Sequence, residues 1–283
     1  MIAVGAGVLC LVTALIYWGL ESAAESKYEL GERGSIDELE FRQIFLFNRS
    51  YWYVVGLCFT FYSAIFPFRT FAIELLMNKT AEAMAGGPSS DAIRAAALGP
   101  AGFLNSLLPA TAMVATPLFG FLVDRVGKRA LLMVLGSFLL MPVYLMLAYA
   151  PYTQTITLHV PWHGVWNLPL WPLIATSMMG IAFSLVPAVM WPSVAYIVDQ
   201  SRLGTAYALM TLIQQIGFFL LNLMVGAAND YSHAGPNNVA GYALGMWIFS
   251  VLGFVGLTFA ILLRIRETGP EGHGLETITV GSS

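Results

Sequence analysis

The sequence predicts an all-α polytopic membrane protein with about seven transmembrane helices, and three observations carry that prediction. Of its 283 residues, 58% are hydrophobic and only 10% are Lys, Arg, Asp or Glu, against about 25% charged in an ordinary soluble domain. The apolar residues form long runs, with no charge between Arg94 and Asp124, Arg129 and Asp199, Arg202 and Asp230, or Asp230 and Arg264. A helical crossing of the hydrocarbon core takes about 20 such residues. Lastly, Lys and Arg collect on alternate connections between the runs, as they do in multi-span proteins.

The first element, 1–20, opens at Met1 directly into apolar sequence, with no basic segment before it and no small-residue cleavage pattern before Glu21. It reads as an isolated span, not a removed signal. Residues 21–49 are a polar linker with seven acids and four bases. Within it, Ser35 and Glu38 have capping-box spacing ahead of Leu39, Ile44, Phe45 and Phe47, which predicts a short amphipathic helix on the membrane surface, with a partly ordered loop as the alternative. The remaining spans are 50–74, 99–123, 130–150, 169–198, 204–228 and 241–264, a six-helix bundle over 50–264. Pro67, Pro187 and Pro192 fall inside the first and fourth of these, where a proline frees a carbonyl and bends the helix. Residues 265–283 are small and polar and predict a disordered tail.

Charge sets the expected orientation. Lys27, Arg33, Arg42, Arg49, Arg125, Lys128, Arg129, Arg202, Arg264 and Arg266 lie on one set of connections, and only Lys79 and Arg94 on the other. This places the linker and the C-terminus in the cytoplasm. The sequon Asn78-Lys79-Thr80 then falls on the opposite side, close to the bilayer, as a candidate glycosylation site. A net charge of -3 with dispersed cations gives no basic stripe to follow a phosphate backbone, so no nucleic acid is expected as a partner. Cys10 and Cys58 sit in apolar runs and read as small hydrophobes. His159 and His163 are four apart, but Pro161 lies between them, and neither a metal nor another cofactor is expected. No nucleophile elbow, phosphate loop or carboxylate pair appears, so the chain is not expected to be an enzyme.

One motif is more specific. Gly120-Phe121-Leu122-Val123-Asp124-Arg125-Val126-Gly127-Lys128-Arg129 is a short charged hairpin between two spans. Gly120 permits close helix approach and Gly127 a tight turn, while Arg125, Lys128 and Arg129 hold the loop in the cytoplasm and Asp124 can pair locally or face a helix end. The pattern G-x3-D-R-x-G-x-R resembles the loop signature of the major facilitator superfamily, whose members have two six-helix halves and move solutes by alternating access. The resemblance implies that Gly120, Asp124, Arg125, Gly127, Lys128 and Arg129 form a conformational latch. Gly226-x3-Asp230 recurs three spans later at the opposite side, as an inverted three-plus-three repeat would give.

Further matches narrow the resemblance. Tyr62–Phe68, Asn105-Ser106, Leu122-Val123-Asp124 with Gly127-Lys128, Trp191-Pro192 and Leu203–Tyr207 look like the branch that includes the lysosomal dipeptide uniporter and its prokaryotic relatives. The resemblance covers residues 55–230. It implies that the six spans of 50–264 are the seventh to twelfth family helices and 1–20 the sixth. It also implies uniport of dipeptides or similar small polar solutes, and a missing N-terminal half or a partner half that completes the cavity. Neither the linker nor the tail holds an acidic dileucine sorting signal, so a cell (inner) membrane is expected ahead of a lysosomal one.

Candidate solute contacts come from polar and aromatic residues inside spans. Asn105, Gln214 and Gln215 are costly in hydrocarbon unless they face a cavity or a partner. Tyr62 and Phe66 stand one turn apart before Pro67, and Trp191 precedes Pro192. Arg69 either snorkels to the interface or faces a carboxylate. Tyr62, Phe66, Arg69, Asn105, Trp191, Gln214 and Gln215 are therefore the candidate substrate-binding residues. No mid-span Asp, Glu or His is present to carry a coupling proton. The expected function is secondary transport of a small polar solute across the bilayer. The alternative is a non-transporting membrane scaffold or a fragment without activity of its own.

Overall fold

The chain divides into two units, Met1–Glu38 and Leu39–Ser283. The computed structural model describes residues 2–27, 46–160 and 164–278. The amphipathic helix expected from Ser35 through Phe47 lies outside that description up to Phe45, as do His163 and the last five residues. The first unit contains helix α1 (Ile2–Lys27), 26 residues and about 39 Å long. It runs past the expected end at 20 because Glu21, Ala23, Ala24, Glu25 and Lys27 continue it as good helix formers.

The second unit contains α2 (Arg49–Ala85), α3 (Asp91–Val126), α4 (Arg129–Tyr149), β1 (Thr155–Val160), β2 (Gly164–Pro169), α5 (Leu170–Ile197), α6 (Leu203–Tyr231) and α7 (Ala243–Glu267). All seven helices are long and apolar enough to cross a membrane. Helix α2 extends beyond the expected end at 74 because 75–85 are mostly helix formers. It stops at Gly86, whose φ of 69° is left-handed and whose N–H bonds to Glu82. Helix α3 starts at Asp91 and not at 99, with an acid in its first turn where the helix dipole favours one. The antiparallel pair β1–β2, with Thr155 opposite Pro169 and Val160 opposite Gly164, was not expected. Its alternating Thr155, Ile156, Thr157 and Leu158 suits a pleated strand.

Helix α2 is the hub of the bundle, packed against α3, α5, α6 and α7, while α4 packs on α5 and α7, and α5 packs on α3. Exchanging α2 with α5, α3 with α6 and α4 with α7 carries the α3–α5 contact onto α6–α2, the α4–α5 contact onto α7–α2, and α4–α7 onto itself. All of these contacts are present, whereas the α2–α3 contact is carried onto a much weaker α5–α6 one, so the packing follows in part the inverted repeat that the paired G-x3-D segments predict. Two related crossings each depend on a glycine. A Cβ on Gly180 of α5 would overlap Thr111 Oγ1 and lie 2.6 Å from the Leu108 carbonyl of α3. A Cβ on Gly217 of α6 would overlap Ser63 Oγ and lie 2.9 Å from the Phe59 ring of α2. Helices α3 and α6 leave apolar faces uncovered, with Met113, Val114 and Leu118 on one and Leu212, Phe219 and Leu223 on the other.

One end of the bundle, the hairpin end, carries the α2–α3 turn, β1–β2 and the α6–α7 turn. The other carries the α3–α4 and α5–α6 connections, the start of α2 and the end of α7. The tail corrects an expectation. Instead of becoming disordered at 265, the chain continues in α7 to Glu267 and then packs back on the bundle as far as Ile278, with Leu275 wholly buried. An apolar Leu275 and two carboxylates that find backbone donors hold it there.

The sequon is also accounted for. Asn78 is wholly buried; its Nδ2 donates to the Tyr242 hydroxyl at 2.8 Å and its Oδ1 accepts from Arg94 Nε at 3.2 Å. Tyr242 in turn donates to Glu74 Oε1 at 2.9 Å. A sugar on that nitrogen would break this chain of bonds between α2, α3 and the start of α7. Glycosidase treatment of the protein from a glycosylating host is expected to leave the gel mobility of this segment unchanged; a shift that Asn78→Gln abolishes would contradict the burial.

Candidate functional site

Helix α2 presents Cys58, Tyr62, Phe66 and Arg69 at i, i+4, i+8 and i+11, which a 3.6-residue period brings to one face. Helix α6 presents Tyr207, Gln214 and Phe218 at i, i+7 and i+11, again one face. Helix α5 adds Phe183 and Trp191, eight residues apart on either side of Pro187. These three stripes meet. The Trp191 indole Nε1–H donates to the Tyr62 hydroxyl at 2.8 Å, and the Tyr207 hydroxyl donates to the Trp191 carbonyl at 3.0 Å. Tyr62 stacks on Phe66 with centroids 5.8 Å apart and 15° between planes, and Phe183 stands edge-on to both. Phe218 lies 5.0 Å from Phe66, and Tyr207 5.8 Å from Trp191. The Cys58 thiol, one turn from Tyr62, donates to Gln214 Oε1 at 3.8 Å.

Of the seven candidate contacts, the structure therefore brings together Tyr62, Phe66 and Trp191, with Gln214 beside them. Arg69 is exposed on the same stripe, about 10 Å along the axis from Tyr62. Gln215, one residue and about 100° round from Gln214, is exposed and lies off this face. Asn105 is half-buried on α3 and makes no hydrogen bond with the aromatic group. Phe183, Tyr207 and Phe218 were not read from the sequence. The 207/214/218 periodicity would have found two of them, because it fixes which glutamine faces inward.

The loop motif is resolved residue by residue. Gly127 has φ 67° and Lys128 φ 42°, two successive positive-φ residues, the second left-handed, that make the tight reversal expected at Gly127. Arg129 is buried and lays its guanidinium over the Tyr196 ring of α5 at 4.6 Å, while Arg125 covers Phe121 of its own helix at 4.1 Å. Two details differ from expectation. A Cβ on Gly120 would meet nothing within 4 Å, so this glycine mediates no close approach inside the bundle. Asp124 is exposed and pairs with no described residue. Among the described residues no group of three or more His, Cys, Asp or Glu is placed to hold a metal.

Seven membrane-length helices, a short charged loop and an aromatic wall across α2, α5 and α6 characterise a polytopic α-helical membrane bundle. The family model of the Major Facilitator Superfamily matches residues 1–220, and the chain belongs to that superfamily. It is similar to the lysosomal dipeptide transporter MFSD1 of Danio rerio, 28% identical over 278 residues, which is 96% of this chain and 50% of that protein. The Gallus gallus protein of the same name is 29% identical over 233 residues, 79% of this chain and 44% of its own length. The Homo sapiens one is 28% identical over 225 residues, 79% and 41%. The chain thus spans about half the length of the curated relatives it matches. A crystal structure of the peptide transporter POT in complex with alafosfalin shares the fold, with a TM-score of 0.54 and 18% identity over 80% of this chain and 40% of that one.

Proposed function

We propose that this chain forms one half of a secondary transporter that moves dipeptides or similar small polar solutes by alternating access. The observation that carries the reading is the aromatic wall, in which Trp191 is hydrogen-bonded to Tyr62 and accepts from Tyr207, and Phe66 packs on Tyr62 and Phe218. Rigid amphipathic rings with one polar tip suit a small zwitterion that is part apolar and part hydrogen-bonding. Arg69, on the same stripe, supplies a cation for the carboxylate. The dipeptide transport named for the relatives agrees with this chemistry.

A second half, from a preceding segment or a separate chain, seats on the uncovered faces of α3 and α6 and closes the cavity. Asp124, without an ion-pair partner among the described residues, then pairs across to it, with the α3–α4 loop as the latch. Seven bundle cations lie at the end with the α3–α4 loop and two, Lys79 and Arg94, at the hairpin end, which supports a cytoplasmic C-terminus. A cell membrane is the proposed location, with the lysosomal membrane of the relatives as the alternative. With no mid-span acid or histidine on the aromatic wall, the proposed mode is uniport.

The test is counterflow of a radiolabelled dipeptide into liposomes containing the complete protein. Exchange is expected, and it is expected to survive collapse of any pH or sodium gradient. No exchange with any dipeptide would favour a scaffold role.

A further inference from the structure

We infer that residues 267–278 form a strap that positions the α3–α4 loop, with Glu267 and Glu276 as its two anchors. Helix α4 begins without a cap of its own, since its N-cap residue Lys128 offers no side-chain oxygen and makes no capping bond. The first N–H groups of a helix are orphan donors at the positive end of its dipole and call for an acceptor. The strap supplies it from far downstream. The Leu275 carbonyl accepts from Arg129 N–H at 2.9 Å, the Glu276 carbonyl from Lys128 N–H at 3.3 Å, and Glu276 Oε1 from Leu131 N–H at 2.9 Å.

The other anchor joins three helices. The Glu267 side chain is fully buried at the end of α7. It accepts from Ser50 Oγ of α2 at 2.8 Å, from His273 N–H at 2.7 Å, and from the His273 ring at Nδ1, 2.9 Å away. The proton position follows from Asn48. Its Oδ1 caps α2 by accepting from Tyr51 N–H at 2.8 Å, so its Nδ2 is the group that faces the Ile197 carbonyl at 3.0 Å and His273 Nε2 at 3.1 Å. Nε2 must accept, which leaves the proton on Nδ1 pointing at Glu267. Between the anchors the chain reverses at Gly274, φ 85°, and buries Leu275.

The turn at Gly127-Lys128, which follows Asp124 and Arg125 in the last turn of α3, is therefore tied through one continuous segment to the start of α2 and the ends of α5 and α7. Glu276 is a positioning residue: it touches no solute and acts by fixing the loop that latches.

The inference rests on the transport reading only for its effect on rate, and two measurements on the complete reconstituted protein separate the two. In hydrogen exchange, Glu276→Ala is expected to speed the Arg129 and Leu131 amides by roughly fivefold or more, the scale of a lost helix cap; Glu276→Gln, which keeps an acceptor oxygen, is expected to restore most of the protection. In dipeptide counterflow, Glu276→Ala is expected to lower the maximal rate several-fold at unchanged half-saturation, with recovery in Glu276→Gln. Unchanged exchange in Glu276→Ala, or a change in half-saturation alone, would overturn the strap's positioning role. A parent protein that shows no counterflow refutes the transport reading alone, and the exchange result still decides the strap.

Discussion

Trp191→Ala is expected to raise the dipeptide concentration for half-maximal counterflow by about tenfold or more. The substitution removes the donor to the Tyr62 hydroxyl and the ring packed on Tyr207. A hydrogen bond contributes about 1 kcal/mol net and an aromatic pair roughly 0.5–1.5 kcal/mol beyond its buried area, and about 1.4 kcal/mol is a factor of ten. Trp191→Phe separates the two contributions, because it keeps an aromatic ring and loses the N–H; a smaller rise, nearer threefold to tenfold, is expected. Normal half-saturation in Trp191→Ala would remove the aromatic wall from the solute path and leave it as packing between α2, α5 and α6.

Gly180→Ala is expected to cost about 1–3 kcal/mol of stability, the usual range for overpacking, and to lower the thermal unfolding midpoint in detergent by several degrees. Thr111 Oγ1 can rotate away from an added methyl group. The Leu108 carbonyl, 2.6 Å from the position of that Cβ, belongs to the α3 backbone and can yield only by moving the helix. Gly226→Ala is the control, since its Cβ would meet only Phe71 at 3.9 Å and should change the midpoint little. Equal midpoints for the two variants would show that α3 and α5 cross less tightly than described.

The number and type of the long elements were legible because each depends on its own residues. Apolar runs and alternating cations mark spans without reference to anything distant. Phe66 and Trp191 were singled out for a similar reason, each directly preceding a proline, and Tyr62 because it stands one turn before Phe66. The tail was misread because its anchors have no local signature. Glu267 acquires its role from Ser50, 217 residues away, and Glu276 from Leu131, 145 residues away, so a short polar sequence looked like solvent-exposed chain. Gln214 could not be told from Gln215, because two adjacent residues about 100° apart cannot both face α2, and only the partner helix decides between them. The motif around Asp124 was recognisable by spacing alone, yet among the described residues that carboxylate has no ion-pair partner.

The contact between Asn78 and Tyr242 has a consequence for biosynthesis. These side chains are separated by 164 positions, which at ~5–20 residues per second corresponds to roughly ten to thirty seconds of translation. Through that interval α2, the first helix of the bundle to be made, holds an amide whose partner has not yet left the ribosome. Until Tyr242 arrives, Arg94 can already bond the Asn78 oxygen while the nitrogen lacks its acceptor, and a polar-to-apolar change at Asn78 would remove that early cost while weakening the finished bundle.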